Sequence, residues 1–112
     1  MKVKVGIVGC GVVGTGVVEL LLKNSDTIRK KTGIDLQISK VADKDWKRPR
    51  PFYVPEELRT TDYKEVIDSS HIVVELVGGK GFAKELIKEA LQKGRHVVSA
   101  NKGPLVLAYP RL

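Results

Sequence analysis

With 112 residues, 42% of them hydrophobic, the chain is long enough for one domain with a substantial core and too apolar to be disordered. No apolar run approaches the roughly 18 residues of a membrane-spanning helix, and residues 1–8 lack a secretory signal pattern. The single cysteine cannot form an internal disulfide and favours a reducing cytoplasm, while the net charge of +7 suits an anionic ligand or serves solubility alone.

The hydrophobic pattern of the first part predicts a strand, a helix and a second strand. Residues 2–8 begin with alternation and become fully apolar, as in a buried parallel strand. After the glycine-rich segment 9–16, an amphipathic helix is predicted over residues 17–31, with cations in its last turn and Gly33 as its end. Residues 36–42 alternate again and predict the second strand.

The middle of the chain predicts a loop, a short helix and a third strand. Residues 43–55 are rich in proline and cations, as in a surface loop. A short extra strand is compatible with residues 59–61. Asp62 and Glu65 have the spacing of a capping box and predict the start of a short helix. Residues 71–77 form an apolar run that predicts the third long strand.

The last part contains the clearest helical pattern, over residues 80–93. Its apolar positions recur at helical spacing and predict one buried face: Ala83, Leu86, Ile87, Ala90 and Leu91. Gly94 ends this helix, and residues 96–100 predict the fourth strand. Pro104 suits the first turn of a further helix, which would continue to Leu112.

Repeated strand–helix–strand units predict a doubly wound, mainly parallel sheet. The crossovers between parallel strands are right-handed, so helices cover both faces and the domain has three layers. We therefore expect a single α/β domain spanning residues 1–112. The sequence contains no internal repeat and no second block of strands that would hold a substrate.

The glycine-rich segment matches the pattern G-x-G-x-x-G with Gly9, Gly11 and Gly14, and with Val12 and Val13 between the last two glycines. In this motif the first glycine allows a tight turn, the second lets a pyrophosphate approach the backbone, and the third lets the helix pack on the strand. The helix N-terminus then offers free N–H groups to the phosphates. The motif follows a predicted strand and opens a helix, so it predicts a Rossmann-like dinucleotide site.

The alternative interpretation of this segment is a glycine-rich turn that only permits close packing. Gly16 fits this packing role better than contact with a ligand.

The end of the second strand is expected to contact the adenosine ribose of the dinucleotide. An acidic residue here binds the 2′-hydroxyl of NAD, and a cation accepts the 2′-phosphate of NADP. The chain offers both, as Asp43 and Lys44. Lys47, Arg48 and Arg50 add positive charge to the same loop, which favours NADP, with NAD as the alternative. At least two of these four cations are expected to be solvated.

Three further segments end at the same edge of the sheet, where open parallel sheets bind their ligands. Gly78 and Gly79 follow the third strand and would let backbone approach a ribose or nicotinamide, or form a plain turn. Ser99, Asn101 and Lys102 end the fourth strand and would bind cofactor or substrate oxygens. The alternative interpretation is that Asn101 only shapes a turn and that Lys102 is a surface lysine.

Other polar residues are predicted to be structural. Glu75 lies in an apolar strand and would either be paired or face the nicotinamide side. The paired, structural role is favoured, since an unpaired buried charge is costly. Cys10, His71 and His96 have no partners at metal-ligand spacing, so no metal site is predicted. Trp46 would cover an adenine ring or anchor its loop.

Residues 6–17, 72–79 and 94–105 together resemble the N-terminal nucleotide-binding domain of homoserine dehydrogenases. The third block is the most specific, because it places Val-Ser-Ala-Asn-Lys after a Gly-Arg-His-Val strand. The resemblance covers essentially the whole chain and is weakest in the loop that follows residue 44.

The resemblance implies an oxidoreductase that interconverts aspartate 4-semialdehyde and homoserine with NADPH or NADH, on the route to threonine, methionine and isoleucine. It also implies that Lys44 contacts the 2′-phosphate of NADP. Ser99 and Lys102 would contact the nicotinamide end of the cofactor.

The chain lacks the second domain that supplies the family's catalytic residues, substrate carboxylate and dimer interface. No catalytic residue is therefore named, and we expect the chain alone to be inactive. A small-molecule substrate is expected to bind only together with that domain, and the chain is compatible with a homo-oligomer. Alternatives are a free-standing dinucleotide-binding regulator or the first half of another amino-acid dehydrogenase. Nucleic-acid binding is disfavoured because the cations are scattered and no stacking platform is evident.

Overall fold

The computed structural model describes residues 1–77, 80–99 and 106–108. The strands are β1 Lys2–Val8, β2 Asp35–Ala42, β3 Arg59–Thr60, β4 Ile72–Glu75, β5 His96–Ser99 and β6 Val106–Ala108. The helices are α1 Val12–Thr32, α2 Tyr63–Ser69 and α3 Lys80–Gln92, and a single 3₁₀ turn spans Glu56–Leu58. Within these ranges, no helix combines the length and the apolar character needed to span a bilayer.

The strands form one sheet in the order β3-β2-β1-β4-β5-β6. The first five are parallel, and β6 runs antiparallel to β5. The order turns at β1, which pairs with β2 on one side and with β4 on the other. This arrangement confirms the predicted doubly wound, mainly parallel sheet and the short extra strand β3.

Helices cover both faces of the sheet, which confirms the three-layer prediction. Neighbouring residues of β1 point to opposite faces, so Ile7 and Val8 enter different buried clusters. The cluster on the α1 face contains Ile7, Cys10, Val18, Val41 and Val54. The cluster on the α2 and α3 face contains Val8, Ala42, Val66, Ile67, Val73, Leu86, Ala90 and Val97.

The predicted helix after Pro104 is wrong for the part of it that the structure describes. Residues 106–108 form β6, whose Leu107 lies opposite Val98 of β5. A short apolar run has no periodicity that separates a strand from a helix, and here pairing with the exposed edge of β5 decides the outcome. Pro104, predicted as the start of that helix, lies outside the described residues.

Helix α1 begins at Val12, earlier than predicted, because its first turn lies inside the glycine motif. Its end is as predicted. Gly33 adopts the left-handed conformation with φ of 76°, and its N–H donates to the Arg29 carbonyl at 2.8 Å. The long helix therefore runs from the carboxyl edge of the sheet to the opposite edge.

Helix α2 packs very closely on β1 through Gly6. A Cβ atom at Gly6 would collide with the Ser70 hydroxyl and with a methyl group of Val66. The capping prediction is confirmed in part, since the Asp62 carboxylate accepts the Lys64 N–H at 3.0 Å. The reciprocal bond is missing, because Glu65 instead accepts the Thr60 hydroxyl at 2.9 Å.

Candidate dinucleotide-binding site

The turn from β1 into α1 holds Gly9 between the ends of two neighbouring strands. Its N–H donates to the Ala42 carbonyl at 2.9 Å, and its φ is +101°, a conformation that side chains rarely adopt. A Cβ atom here would lie 2.9 Å from the carbonyl carbon of Leu76 and 3.0 Å from the Val77 nitrogen. Conformation and space therefore both require glycine at this turn.

The other glycines of the motif differ in what surrounds them. A Cβ atom at Gly14 would collide with the Gly9 carbonyl, so the first turn of α1 lies directly against the turn that precedes it. At Gly11 a Cβ atom would meet nothing within 4 Å. Gly16 also has open space around it, so its predicted packing role is wrong: this exposed position faces away from the sheet.

The open side of this turn is suited to an anion. The first N–H groups of an α-helix have no partner within the helix, and here they belong to the motif itself. Val12 and Val13 are 77% and 64% exposed, and the first turn contains no acidic residue. Free N–H groups, the positive end of α1 and the missing Cβ at Gly11 together fit a dinucleotide diphosphate.

A cavity of about 480 Å³ opens beside this turn at the carboxyl ends of β1, β2 and β4. The described residues that line it are Val8, Gly9, Cys10, Gly11, Ala42, Asp43, Lys44, Arg48, Thr61, Tyr63, Leu76, Val77 and Phe82. Its position agrees with the rule that open parallel sheets bind ligands where the strand order reverses. Four of the predicted site residues, Gly9, Gly11, Asp43 and Lys44, therefore line one cavity.

Asp43 and Lys44 both line the cavity, but their side chains are in different states. The Asp43 carboxylate is 9% exposed and accepts hydrogen bonds from the Arg50 guanidinium, from Arg48 Nη2 at 3.0 Å and from the Lys44 N–H at 2.8 Å. The Lys44 ammonium is exposed and has no partner among the described residues. The acid is thus already neutralised, and the neighbouring cation is available to a ligand.

Arg50 is the residue whose importance the sequence did not reveal. Its side chain is only 8% exposed, and its Nε donates to the Cys10 carbonyl at 2.9 Å. The guanidinium also donates to the Asp45 carbonyl at 2.7 Å and lies 4.4 Å from the centre of the Trp46 ring. One feature of the sequence could have indicated a fixed position for Arg50: it lies between Pro49 and Pro51, which restrict the local backbone.

Trp46 anchors its loop. Its indole Nε1 donates to the Thr60 carbonyl at 2.9 Å, and the guanidinium groups of Arg50 and Arg59 lie 4.4 Å and 5.3 Å from the centre of the ring. Of the four cations counted in this loop, Lys47 is exposed and does not line the cavity.

Strands β4 and β5 are joined at their carboxyl ends by a hydrogen bond between Glu75 and Ser99. The Ser99 hydroxyl donates to Glu75 Oε1 at 2.7 Å, and the two residues lie opposite each other in β5 and β4. Glu75 is fully buried, and its Oε2 has no hydrogen-bond partner in the part of the chain that the structure describes. Gly78, Gly79, Asn101 and Lys102 lie outside the described residues.

Comparisons with known proteins agree with this geometry. Residues 9–112 match the family model described as the NAD-binding domain of homoserine dehydrogenase. The homoserine dehydrogenase of Bacillus subtilis is 36% identical over 102 residues, which are 89% of this chain and 24% of that protein.

Solved structures have the same fold. A crystal structure of Staphylococcus aureus homoserine dehydrogenase matches 93% of this chain and 27% of that one, with a TM-score of 0.83 and 31% identity. A hyperthermophilic archaeal homoserine dehydrogenase in complex with NADPH matches 91% of this chain and 36% of that one, with a TM-score of 0.62 and 24% identity, so this likeness concerns the fold alone.

The chain spans about a quarter of the length of the B. subtilis and S. aureus proteins. The match is therefore to their nucleotide-binding portion. The glycine turn and the parallel sheet agree with the family model, which matches residues 9–112. The chain therefore belongs to the homoserine dehydrogenase family, as its NAD-binding domain.

Proposed function

We propose that the chain binds NADP(H) as the nucleotide-binding part of an enzyme that interconverts homoserine and aspartate 4-semialdehyde. The observation that carries this proposal is the turn at Gly9, Gly11 and Gly14, which leaves N–H groups free beside an open cavity. The family match supports the reaction, which belongs to the biosynthesis of amino acids.

The diphosphate of the dinucleotide is assigned to the amides that begin α1. These are the N–H groups of Gly11, Val12, Val13 and Gly14, above the tight turn at Gly9. Hydrogen bonds from backbone N–H groups and the positive end of the helix stabilise the two negative phosphates. Because the donors belong to the main chain, they bind NADP and NAD equally well, and selectivity has to come from another part of the cavity.

The adenosine ribose is assigned to the loop after β2, where the balance of charge favours NADP over NAD. The Asp43 carboxylate is engaged by Arg48 and Arg50, so it is poorly available to a ribose 2′-hydroxyl. Lys44 and Arg48 line the same cavity and leave an excess of positive charge for a 2′-phosphate.

We assign the nicotinamide end of the cofactor to Ser99 and Lys102, on the family resemblance. Gly78 and Gly79 are assigned to the same end because they follow β4 in the sequence, at the edge where open parallel sheets bind ligands. The reduced nicotinamide supplies a hydride to the aldehyde carbon of the substrate. This transfer requires the aldehyde to be held in register with the ring. We assign substrate binding and any homo-oligomer contact to further parts of the enzyme and expect no turnover from these 112 residues alone.

We also propose a cytoplasmic location, consistent with a single, buried and unpaired cysteine. Binding of nucleic acid is not expected, because the cations are scattered along the chain and no stacking platform is evident in the sequence.

The proposal is tested by titrating NADPH and NADH into the purified chain and measuring heat release or the quenching of its single tryptophan, Trp46. We expect saturable binding of both coenzymes, with NADPH the tighter. The proposal would be refuted if neither coenzyme bound at millimolar concentration. Tighter binding of NADH would refute the preference for NADP alone.

A further inference from the structure

We propose that Arg50 is a positioning residue for coenzyme selectivity: it holds the Asp43 carboxylate and the Cys10 carbonyl on one guanidinium and thereby withholds Asp43 from a ribose 2′-hydroxyl. The inference rests on the proposed dinucleotide binding and goes beyond it. Arg50 itself does not line the cavity, so its influence on the ligand passes through the two residues that it holds.

The contacts of Arg50 join two segments that are far apart in the chain. Its Nε donates to the carbonyl of Cys10, 40 residues earlier, at 2.9 Å, and its Nη2 donates to the Asp43 carboxylate. A planar guanidinium with donors in a fixed fork can make these bonds at the same time, whereas a lysine ammonium offers a single point of charge. The glycine turn and the loop after β2 are therefore fixed relative to each other.

The bond to Cys10 also orients the glycine turn. The carbonyl of Cys10 and the N–H of Gly11 belong to one planar trans peptide, so they point in opposite directions. Because Arg50 holds the Cys10 carbonyl, the Gly11 N–H points away from the arginine. It therefore does not form a hydrogen bond with the loop after β2. This relation links the arginine to the group of amides assigned to the diphosphate.

The bond to Asp43 determines what the ribose pocket presents. An aspartate at the end of the second strand normally accepts the 2′-hydroxyl of NAD and repels a 2′-phosphate. Here the carboxylate is nearly buried between Arg48 and Arg50, so its charge is neutralised. Without Arg50, the exposed Arg48 would be the remaining charged partner of Asp43, and the carboxylate would become more available to the 2′-hydroxyl of NADH and more repulsive to the 2′-phosphate of NADPH.

The test measures the dissociation constants of NADPH and NADH for the wild-type chain and for Arg50→Gln and Arg50→Lys. We expect Arg50→Gln to lower the preference for NADPH by about tenfold, the scale of one lost charge-assisted interaction. Arg50→Lys should lower it less, because a lysine keeps a charge beside Asp43 but cannot hold the Cys10 carbonyl in the same fork. The change should come from weaker NADPH binding together with unchanged or tighter NADH binding. Arg50→Lys is included because it keeps the charge beside Asp43 if the glutamine variant folds poorly.

Arg59→Gln is the matched control. Arg59 also stacks on Trp46, at 5.3 Å from the ring centre, and bonds a carbonyl of the same loop, that of Val54, but it contacts neither Asp43 nor Cys10. Its removal should leave the ratio of the two dissociation constants within about twofold of wild type, because its partners are not shared with the ribose pocket.

A double-mutant cycle identifies Asp43 as the intermediary. Asp43→Asn should change NADH binding by less than about twofold in the wild-type chain, but should abolish any gain in NADH binding in Arg50→Gln. An unchanged preference in folded Arg50 variants, or an equal loss of both coenzymes, would overturn the inference while leaving the proposed function intact. A wild-type chain that binds neither coenzyme would overturn both.

Discussion

The carbonyl oxygen of Gly9 occupies the space that a Cβ atom on Gly14 would need. Gly14→Ala therefore has to displace either the turn or the first turn of α1, and we expect a loss of about 1–3 kcal/mol in the free energy of unfolding, as for other overpacked sites. Gly11→Ala should leave stability nearly unchanged, because a Cβ atom there meets nothing within 4 Å, and should instead weaken dinucleotide binding. Urea unfolding and coenzyme titration of both variants separate the two effects.

Gly16→Ala is the control for these substitutions. Gly16 lies in the interior of α1 with open space around it, so an alanine should stabilise the chain by about 0.5–1 kcal/mol through helix propensity. If Gly14→Ala were as stable as Gly16→Ala, the close approach of Gly9 and Gly14 would be disproved.

Lys44 provides a direct test of the ribose pocket. Lys44 lines the cavity, and its ammonium has no protein partner in the described ranges, so Lys44→Ala should weaken NADPH binding by about tenfold and NADH binding much less. Lys47→Ala is the matched control, since Lys47 lies in the same loop but outside the cavity. Equal effects of Lys44→Ala on the two coenzymes would remove the assignment of Lys44 to the 2′-phosphate.

The buried pair of Glu75 and Ser99 predicts two opposite effects on stability. Ser99→Ala removes the hydroxyl that bonds Glu75 Oε1 at 2.7 Å and leaves the carboxylate without a described donor, so we expect a loss of about 1–3 kcal/mol. Glu75→Gln keeps an acceptor for Ser99 and removes a buried charge, and should be neutral or stabilising. Chemical unfolding of both variants measures this, and a neutral Ser99→Ala would contradict it.

A surface ion pair predicts the pH dependence of stability. Lys93 Nζ donates to Asp68 Oδ1 at 2.7 Å, and this hydrogen bond lowers the pKa of Asp68 below its ordinary value of 3.8. A carboxyl group whose pKa falls on folding stabilises the protein above its unfolded pKa, and that contribution disappears as the pH falls through the lowered pKa. The difference in melting temperature between wild type and Asp68→Asn should therefore be present at neutral pH and vanish well below pH 3.8.

The same bond raises the pKa of Lys93 above its ordinary value of 10.5. Its contribution is present below pH 10.5 and is lost as the pH rises through the raised pKa. Both side chains are substantially exposed, so the effect should be small and should weaken in high salt. A difference that persisted in acid would show that Asp68 acts through something other than its charge.

Most of the fold follows from patterns that are visible along the chain. In α3, the apolar positions predicted for the buried face include Ala83, Leu86 and Ala90, and all three are buried. The glycine motif likewise predicted a turn between strand and helix, and Gly9 has the expected positive φ. These predictions are confirmed because one face of a helix or one tight turn depends mainly on residues that are close in sequence.

Features set by distant contacts were missed. The bond from Arg50 to Cys10 spans 40 residues, and local composition does not distinguish a buried arginine from the solvated cations around it. Gly6 was not singled out, although only a glycine at this position of β1 leaves room for the side chains of Val66 in α2 and of Ser70, which follows α2. Both depend on how elements pack together, which a single sequence does not display.

The central place of β1 constrains the order in which this chain can fold. Both neighbours of β1 come later in the sequence. The Lys4 N–H donates to the His71 imidazole, which lies 67 residues later in the chain. During synthesis the apolar core strand therefore has an open hydrogen-bonding edge until most of the domain has left the ribosome. Such non-local parallel pairing slows folding, and it exposes β1 to aggregation until β4 has been synthesised.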